Sequence, residues 1–405
     1  MTASIAGSLE EPTPFTASTT PQTVTGRPQR VTSVDLVRGI VMILMALDHT
    51  RDYFSMFHFQ PEDLSKSTPF LFATRWITHF CAPTFFLLAG VGAALALSGG
   101  KSKTSISRFL FTRGLWLVFL EVTVSALGWN FKLGFPVILL VIWALGWSMV
   151  ILSGLVFLPQ KVVAAIALVT IAGHNLLDNV GGATMSGGGP LWHILHRPGL
   201  LSAQPLVIVA YPLIPWFAVM ALGFALGDVF RWEPERRQRF LLRAGVISIV
   251  AFMVIRFVNA YGNPAPWAPQ RTEALTIASF LNPLKYPPSL DYLLMTLGPT
   301  LIALALLENA RGPIARAASV YGRVPMFYYL GHIYVIHTLA LLFATWQGGT
   351  GKFLSLDTAS YPAWYGTTLP GVYLAWATVV LIMYLPCRWF ADVKSRRRDW
   401  WLSYI

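Results

Sequence analysis

The sequence predicts an all-α polytopic membrane protein with about ten transmembrane helices and both termini in the cytoplasm. Of the 405 residues, 55% are apolar and only 12% are charged, which is about half the charged share of a soluble domain. Apolar runs of about 20 residues, the length that crosses hydrocarbon as a helix, recur along the chain. This composition excludes a soluble enzyme and a disordered protein. It also excludes a secreted disulfide scaffold, and no disulfide is expected because the two cysteines, Cys81 and Cys387, are predicted to lie near opposite ends of the topology.

A long apolar region separates two polar ends of the chain. Residues 1–30 are rich in Thr, Ser and Pro, and we expect a disordered cytoplasmic tail there. Residues 31–390 form the transmembrane domain, and residues 391–405 form a basic cytoplasmic tail. The predicted spans are 34–54, 70–98, 108–128, 133–158, 161–177, 205–227, 240–259, 289–307, 324–346 and 369–390. Eleven spans are also compatible with the pattern.

The basic residues predict the orientation. With the N-terminus inside, most of the 30 Lys and Arg residues fall on the cytoplasmic side, as the positive-inside rule requires. The net charge of +12 is therefore explained by loops beside a lipid bilayer, and no nucleic-acid partner is expected. The sequence leaves the oligomeric state open.

The end of the first predicted span carries four ionisable side chains within five residues: Asp48, His49, Arg51 and Asp52. Ionisable groups inside a span are costly and are candidates for function. A rise of 1.5 Å per residue places His49 in the half of the bilayer far from the cytoplasm. A neighbouring carboxylate makes an imidazole more basic, so we expect His49 to be a general base oriented by Asp48 or Asp52. The alternative interpretation is a solvated helix end, in which these residues have no catalytic role.

The second and third spans supply further catalytic candidates. Arg75 and His79 share a helix face because they are four residues apart. Glu121 lies deep in the third span and needs a partner, for which Arg75, Arg256 or His79 is available. The structural alternatives are an Arg75 side chain that snorkels to the interface, a His79 ring bonded to a backbone carbonyl, and a pairing role alone for Glu121.

Other clusters favour structural interpretations more strongly. The stripe of Tyr328, His332 and His337 in the ninth span is more typical of packing. His174, Asn175 and Asp178 end the fifth span, where such residues suit a carbohydrate but also a helix terminus. No metal site is expected because no third ligand accompanies the nearest histidine pair.

Basic residues at the predicted inner face would suit the phosphates of a ligand such as coenzyme A. The candidates are Arg38, Lys101, Lys103, Arg108 and Arg113. Arginine and lysine bind phosphate through charge-assisted hydrogen bonds. The positive-inside rule alone also accounts for the same residues.

Two segments resemble a known family. Residues 30–45, RVTSVDLVRGIVMILM, resemble the opening of the heparan-α-glucosaminide N-acetyltransferase catalytic-domain family. Residues 74–90, TRWITHFCAPTFFLLAG, resemble its bacterial transmembrane acyltransferase branch. The resemblance implies an acetyl-CoA-dependent membrane N- or O-acyltransferase in a bacterial cytoplasmic (inner) membrane. Its acceptor would be an extracytoplasmic amino sugar or sugar hydroxyl.

The resemblance also bears on individual residues. The lysosomal member of the family uses an Asn and a His after the first span. Without gaps, its Asn aligns with His49, and its His falls near His58 only if a gap is allowed. The catalytic histidine therefore stays open among His49, His58 and His79. Arg51, His58, His174, Asn175 and Asp178 are the candidates for binding the acceptor.

Two other function classes fit the same features. A secondary transporter or proton-coupled permease would also place Arg, Glu and His inside its spans. The two halves of the chain show no evident repeat, which disfavours a transporter. A non-catalytic component of envelope assembly is the third hypothesis.

Overall fold

The computed structural model describes residues 32–132, 134, 136–180, 188–397 and 399–405. The predicted N-terminal tail, residues 1–30, lies outside this part of the chain. The described residues belong to one compact unit. The predicted boundary at residue 390 falls inside a helix that continues to Arg396. Cys81 and Cys387 are both free and buried.

Helices make up most of the described chain. They are α1 (Thr32–Phe54), α2 (Pro69–Trp76), α3 (Cys81–Ser98), α4 (Lys103–Leu120), α5 (Ala126–Asn130), α6 (Val141–Leu155), α7 (Gln160–Gly173), α8 (Gly189–Leu195), α9 (Trp216–Ala225), α10 (Pro234–Val258), α11 (Glu273–Phe280), α12 (Leu290–Leu306), α13 (Pro313–Arg323), α14 (Pro325–Trp346) and α15 (Leu369–Arg396). A 3₁₀ turn joins α2 to α3, and a π-helical turn joins α4 to α5.

Six helical segments among the described residues are long and apolar enough to cross a membrane. They are Pro69–Ser98, Lys103–Asn130, Gln160–Leu177, Pro234–Val258, Pro325–Trp346 and Leu369–Arg396. Helices α6 and α12 are apolar but shorter. The other predicted spans overlap α1 and α9, so a helix lies at each position where the sequence predicts a span. Large apolar side chains of α10, such as Val250 and Phe257, are exposed, as expected for a helix facing lipid.

A small sheet departs from the all-α prediction. Strands β1 (Val137–Leu139), β2 (Gly199–Ala203) and β3 (Leu206–Val209) form a sheet in the order β1-β3-β2. β3 pairs parallel with β1 and antiparallel with β2. The predicted spans 133–158 and 205–227 therefore begin as strands and become helical only at α6 and α9. Short apolar runs do not distinguish a buried strand from a helix, which explains the difference.

Helix α1 lies at the centre of the bundle although it carries five charged residues. It packs against α3, α12, α13, α14 and α15. Its contact with α13 is close because glycines face each other's backbone. A Cβ built on Gly39 would lie 1.9 Å from the Ala318 carbonyl oxygen, and one on Gly322 would lie 1.8 Å from the Asp35 oxygen. Small residues at such a crossing let two helix backbones approach directly.

The first prediction concerns this crossing. Gly39→Ala should lower the free energy of unfolding by about 1–3 kcal/mol, because the added methyl group forces two backbones apart. Denaturation in detergent micelles measures the change. Gly154→Ala is the matched control, since a Cβ at this helical glycine meets nothing within 4 Å. Equal stability of the two variants would contradict a tight α1–α13 contact.

Candidate active site

Three carboxylates and two arginines form a network at the C-terminal end of α1. Arg51 Nη2 donates to Asp48 Oδ1 at 2.6 Å and to Asp52 Oδ1 at 2.8 Å. Arg75 donates through Nη1 to Asp48 Oδ2 at 2.5 Å and through Nε to Glu62 Oε1 at 2.6 Å. Asp48 thus bridges two guanidinium groups that are almost completely buried. Buried charges are tolerated when they are paired and hydrogen-bonded in this way.

Glu62 lies on the loop between α1 and α2 and stays ionised in this network. Burial opposes its ionisation, but Arg75 and His79 outweigh that effect and hold the pKa of Glu62 well below its usual range. His79 Nε2 lies 3.8 Å from Glu62 Oε1, which is an electrostatic contact longer than a hydrogen bond. Glu62 therefore fixes the position of Arg75 from the loop side.

His49 has an imidazole as its partner. Its Nδ1 lies 2.8 Å from His332 Nε2, and His332 Nδ1 lies 2.9 Å from the Tyr328 carbonyl oxygen. A carbonyl only accepts, so His332 Nδ1 carries a hydrogen and, in the neutral ring, His332 Nε2 accepts. His49 Nδ1–H then donates to His332, and His49 Nε2 keeps a free lone pair. This tautomer, assigned from the hydrogen-bond partners, presents His49 Nε2 as a base.

The expectation that Asp48 or Asp52 orients His49 is not met. Both carboxylates accept from arginine, and Asp48 Oδ1 also accepts from Thr78 Oγ1 at 3.0 Å. The sequence missed His332 as the partner because it lies 283 positions from His49. The signal that could have found it is the Tyr–His spacing in α14, which was interpreted as packing.

Two cavities lie in the region of His49. The basic cavity, about 300 Å³, is lined by Arg38, Lys101 and Arg113 together with apolar side chains of α3, α4, α6 and α14. The polar cavity, about 600 Å³, is lined by His49, the carboxylates of the network and residues of the loop between α10 and α12. The first is mainly apolar with cations, and the second mixes charged, amide and aromatic groups.

A narrow space of about 40 Å³ adjoins both cavities. It shares Phe85 and Val141 with the basic cavity, and His49, Tyr211 and Lys285 with the polar cavity. Val141 lines all three volumes, and Tyr329 lines both larger cavities, so the three volumes adjoin one another. His49 lines both the narrow space and the polar cavity, so its ring stands where the two cavities approach each other.

The loop between α10 and α12 contributes site residues that the sequence analysis did not select. Asn263, Asn282, Lys285 and Tyr286 line the polar cavity. Arg256 holds this loop by donating to three of its carbonyl oxygens at 3.0–3.1 Å. The sequence showed only a polar connection rich in Pro and aromatic residues, and its fold back over the site depends on these long-range bonds.

Glu121 does not contact the arginines or the histidine that the sequence offered as partners. Its carboxylate accepts from Ser125 Oγ and from the Trp143 backbone N–H, each at 3.0 Å. Trp143 is in the first turn of α6, so the carboxylate caps that helix, a position that favours negative charge. Glu121 is not among the described side chains that line the three volumes, and its contacts indicate a structural role.

Several candidates for acceptor binding lie away from the polar cavity. Asn175 donates to Asp178 and accepts from the Leu290 N–H, while Asp178 also contacts His196. His174 also bonds two backbone carbonyls. Together these bonds connect the end of α7 to the start of α12 and to the residues just before it.

His58 and Arg51 also differ from the expectation. The His58 ring packs edge-on against Tyr361, 5.6 Å between centroids. Arg51 is buried behind Asp48 and Asp52, where it pairs with both carboxylates. Neither residue is among the described side chains lining the polar cavity, whereas His49, Asp52, Arg75 and His79 are.

The predicted phosphate ligands divide into two groups. Arg38, Lys101 and Arg113 line the basic cavity. Lys103 instead donates to the Phe157 carbonyl at 3.2 Å, and Arg108 is exposed on the outside of α4. Among the described residues, no group of three His, Cys, Asp or Glu side chains is placed to hold a metal ion.

Comparison with known proteins identifies the family. Residues 30–257 match the family model described as heparan-alpha-glucosaminide N-acetyltransferase, catalytic. The chain belongs to this family. Membership confirms the resemblance to the N-acetyltransferase catalytic-domain family and indicates a transmembrane acetyltransferase. The match covers α1 to the end of α10, so His332 and Lys285 lie beyond it. No curated protein matches the chain.

The second prediction tests the ion-pair network of this acetyltransferase-family protein. Glu62→Gln should lower the free energy of unfolding at pH 7 by about 2 kcal/mol, less than a fully buried pair because Glu62 is 25% exposed. The folded pKa of Glu62 is depressed. Its contribution is therefore present above the unfolded pKa of about 4.3 and is lost as pH falls through the folded pKa.

Unfolding of the wild type and the variant should be measured between pH 7 and pH 3. The stability difference should narrow only at the acidic end of that range. Glu273→Gln, on the exposed first turn of α11, is the control and should change stability by less than about 0.5 kcal/mol. A difference that does not depend on pH would contradict ionic pairing of Glu62.

Proposed function

We propose that this protein transfers an acetyl group from cytoplasmic acetyl-CoA to an amino sugar or sugar hydroxyl on the other side of a bacterial inner membrane. The observation that carries the proposal is that His49 lines both the polar cavity and the narrow space that adjoins the basic cavity. Membership of the N-acetyltransferase family supports it. The proposed topology has ten spans, with both termini cytoplasmic.

The basic cavity is the proposed binding site for acetyl-CoA. Arg38, Lys101 and Arg113 would hold its phosphates, and the positive-inside rule assigns this side to the cytoplasm. The apolar lining beyond these cations would accept the pantetheine arm. Arg38 and His49 are separated by about 16 Å along the axis of α1. An extended arm that follows α1 therefore leads from the phosphates towards the narrow space.

The polar cavity is the proposed binding site for the acceptor. Carboxylate, amide and aromatic groups together suit a sugar, because they offer hydrogen bonds to hydroxyls and faces for the ring. The lining includes Asp52, Asn263, Asn282 and Trp129. His49, which also lines this cavity, would face the attacking amine or hydroxyl.

The chemistry follows from the assigned tautomer of His49. As the acceptor nitrogen or oxygen attacks the thioester carbonyl, its proton passes to His49 Nε2. The imidazolium that forms is stabilised by the bond from Nδ1–H to His332. His332 remains oriented by the Tyr328 carbonyl. The carbon–sulfur bond then breaks, and the coenzyme A thiolate takes the proton from His49.

The third prediction identifies the catalytic histidine. His49→Gln should lower kcat by about 10²–10⁴-fold, the usual contribution of a general base. His58→Gln should cost less than about threefold, because that ring packs on Tyr361 outside the cavity. The assay uses purified protein in liposomes, acetyl-CoA labelled in the acetyl group and glucosamine as the acceptor. Loss of activity in the His58 variant with retention in the His49 variant would overturn the assignment.

The fourth prediction uses two lysines at neighbouring positions. Lys101→Gln should raise the KM for acetyl-CoA about tenfold with little change in kcat, because one charge-assisted bond to phosphate is lost. Lys103→Gln is the matched control, since Lys103 contacts the Phe157 carbonyl and not the basic cavity. Initial rates at varied acetyl-CoA concentration distinguish the two. Similar KM values for both variants would argue against coenzyme A in the basic cavity.

The same liposomes distinguish an acyltransferase from a transporter. With acetyl-CoA on one face and glucosamine on the other, the transferase produces acetylated sugar only on the glucosamine side. Movement of labelled glucosamine across the membrane without acetyl-CoA would instead support a transporter.

A further inference from the structure

Lys285 is a buried cation that the proposed reaction has not yet used. Lys285 is 7% exposed, and its side chain lines both the polar cavity and the narrow space beside His49. Arg51 and Arg75 are each paired with two carboxylates. By contrast, no carboxylate lies within ion-pair distance of Lys285 Nζ in the described part of the chain. Its described contact is the face of the Tyr286 ring, 5.2 Å from Nζ to the centroid.

The backbone around Lys285 is held in place. Lys285 forms an isolated bridge with Pro288, and the Ser289 N–H donates to the Leu284 carbonyl at 2.9 Å. The Leu284 N–H in turn donates to Asn263 Oδ1 at 2.7 Å. The ammonium group is thus carried on a short, internally bonded turn. Such a turn places the charge at the narrow space without relying on a flexible segment.

A buried ammonium group without a carboxylate partner is costly. A role in catalysis would explain this cost, because a preorganised cation stabilises negative charge that develops in the transition state. Of the described side chains that line the narrow space, Lys285 is the cation and His49 is the base assigned above. Asp48 also lines this space, but both of its oxygens are bonded to Arg51 and Arg75. The space of about 40 Å³ exceeds the 10–15 Å³ needed for one water. It therefore has room for a group of a few non-hydrogen atoms.

We propose that Lys285 is a catalytic residue that donates a hydrogen bond to the carbonyl oxygen of the acyl thioester. This inference rests on the proposed function, since it requires a thioester to enter from the basic cavity. The acceptor would approach from the polar cavity, so the two reactants meet in the space that His49 and Lys285 share. His49 then takes the proton of the attacking acceptor, while Lys285 binds the carbonyl oxygen of the thioester under attack.

Each step balances. The acceptor nitrogen or oxygen forms a bond to the acyl carbon, its proton goes to His49 Nε2, and the carbonyl electron pair moves to oxygen. The Lys285 ammonium stabilises this oxyanion without giving up its proton. When the carbonyl reforms, the carbon–sulfur bond breaks and its electron pair leaves on sulfur. The coenzyme A thiolate takes the proton from His49, and Lys285 returns to its initial state.

The fifth prediction concerns Lys285→Met, which keeps most of the side-chain volume and removes the charge. We expect kcat with acetyl-CoA and glucosamine to fall by about 10²–10³-fold, the scale of losing one oxyanion donor. The KM for acetyl-CoA should stay within about threefold. Lys285→Arg should recover part of the rate, because it restores a cationic donor. Lys66→Met is the matched control, since the Lys66 side chain is 63% exposed and pairs with Asp63 on the surface.

A substrate analogue tests the contact itself. Replacing the thioester carbonyl oxygen of acetyl-CoA by sulfur gives a dithioester whose C=S group accepts hydrogen bonds poorly. The ratio of the rates with the oxygen and sulfur substrates should be large for the wild type. In Lys285→Met the ratio should fall at least tenfold towards one. A merely structural role for Lys285 would lower both rates equally and leave the ratio unchanged.

Several outcomes would overturn the proposal. One is an unchanged oxygen-to-sulfur ratio in Lys285→Met. Another is a raised KM for glucosamine with normal kcat, which would show that Lys285 binds the acceptor. A third is failure of both Lys285 variants to fold, judged by thermal unfolding, since it would indicate a structural role. Failure of the proposed function is separate: the wild type itself would then transfer no acetyl group from acetyl-CoA.

Discussion

The pairing of Asp48 with Arg51 and Arg75 is the constraint on which the rest of the site depends. Helix α1 lies in the middle of an apolar bundle, and its charged residues can be buried there only if they are matched. Asp48 pairs with both guanidinium groups. Asp52 is the second partner of Arg51, and Glu62 is the second partner of Arg75. This network joins α1, the following loop and α2 into one rigid wall of the polar cavity.

His49 bonds a histidine and not one of the neighbouring carboxylates. Since the carboxylates are occupied by arginine, the ring bonds His332 on α14, which in turn bonds the Tyr328 carbonyl. These two hydrogen bonds fix the assigned tautomer and leave His49 Nε2 as the free nitrogen of a ring that lines the polar cavity and the narrow space. Lys285 enters the same space from the loop between α10 and α12. The proposed base and oxyanion donor therefore come from elements far apart in the chain.

The helices could be predicted well from the sequence because bilayer thickness sets the length of an apolar segment. The same pattern failed at Val137–Leu139 and Leu206–Val209, since a short buried strand is as apolar as a helix turn. The ionisable cluster at Asp48–Asp52 and the cationic residues Lys101 and Arg113 were also visible in the sequence. Glu121 was selected for its burial, but the structure uses it to cap α6.

The sequence by itself determined the membrane class, the positions of the long apolar helices, the family and the place of His49 on α1. Composition, span length and local spacing carry that information, because they depend on residues near one another in the chain. Only the tertiary structure decided the partner of His49, the role of Glu121 and the approach of Lys285. Those depend on contacts between residues hundreds of positions apart, which are set by helix packing and by burial of charge rather than by local pattern.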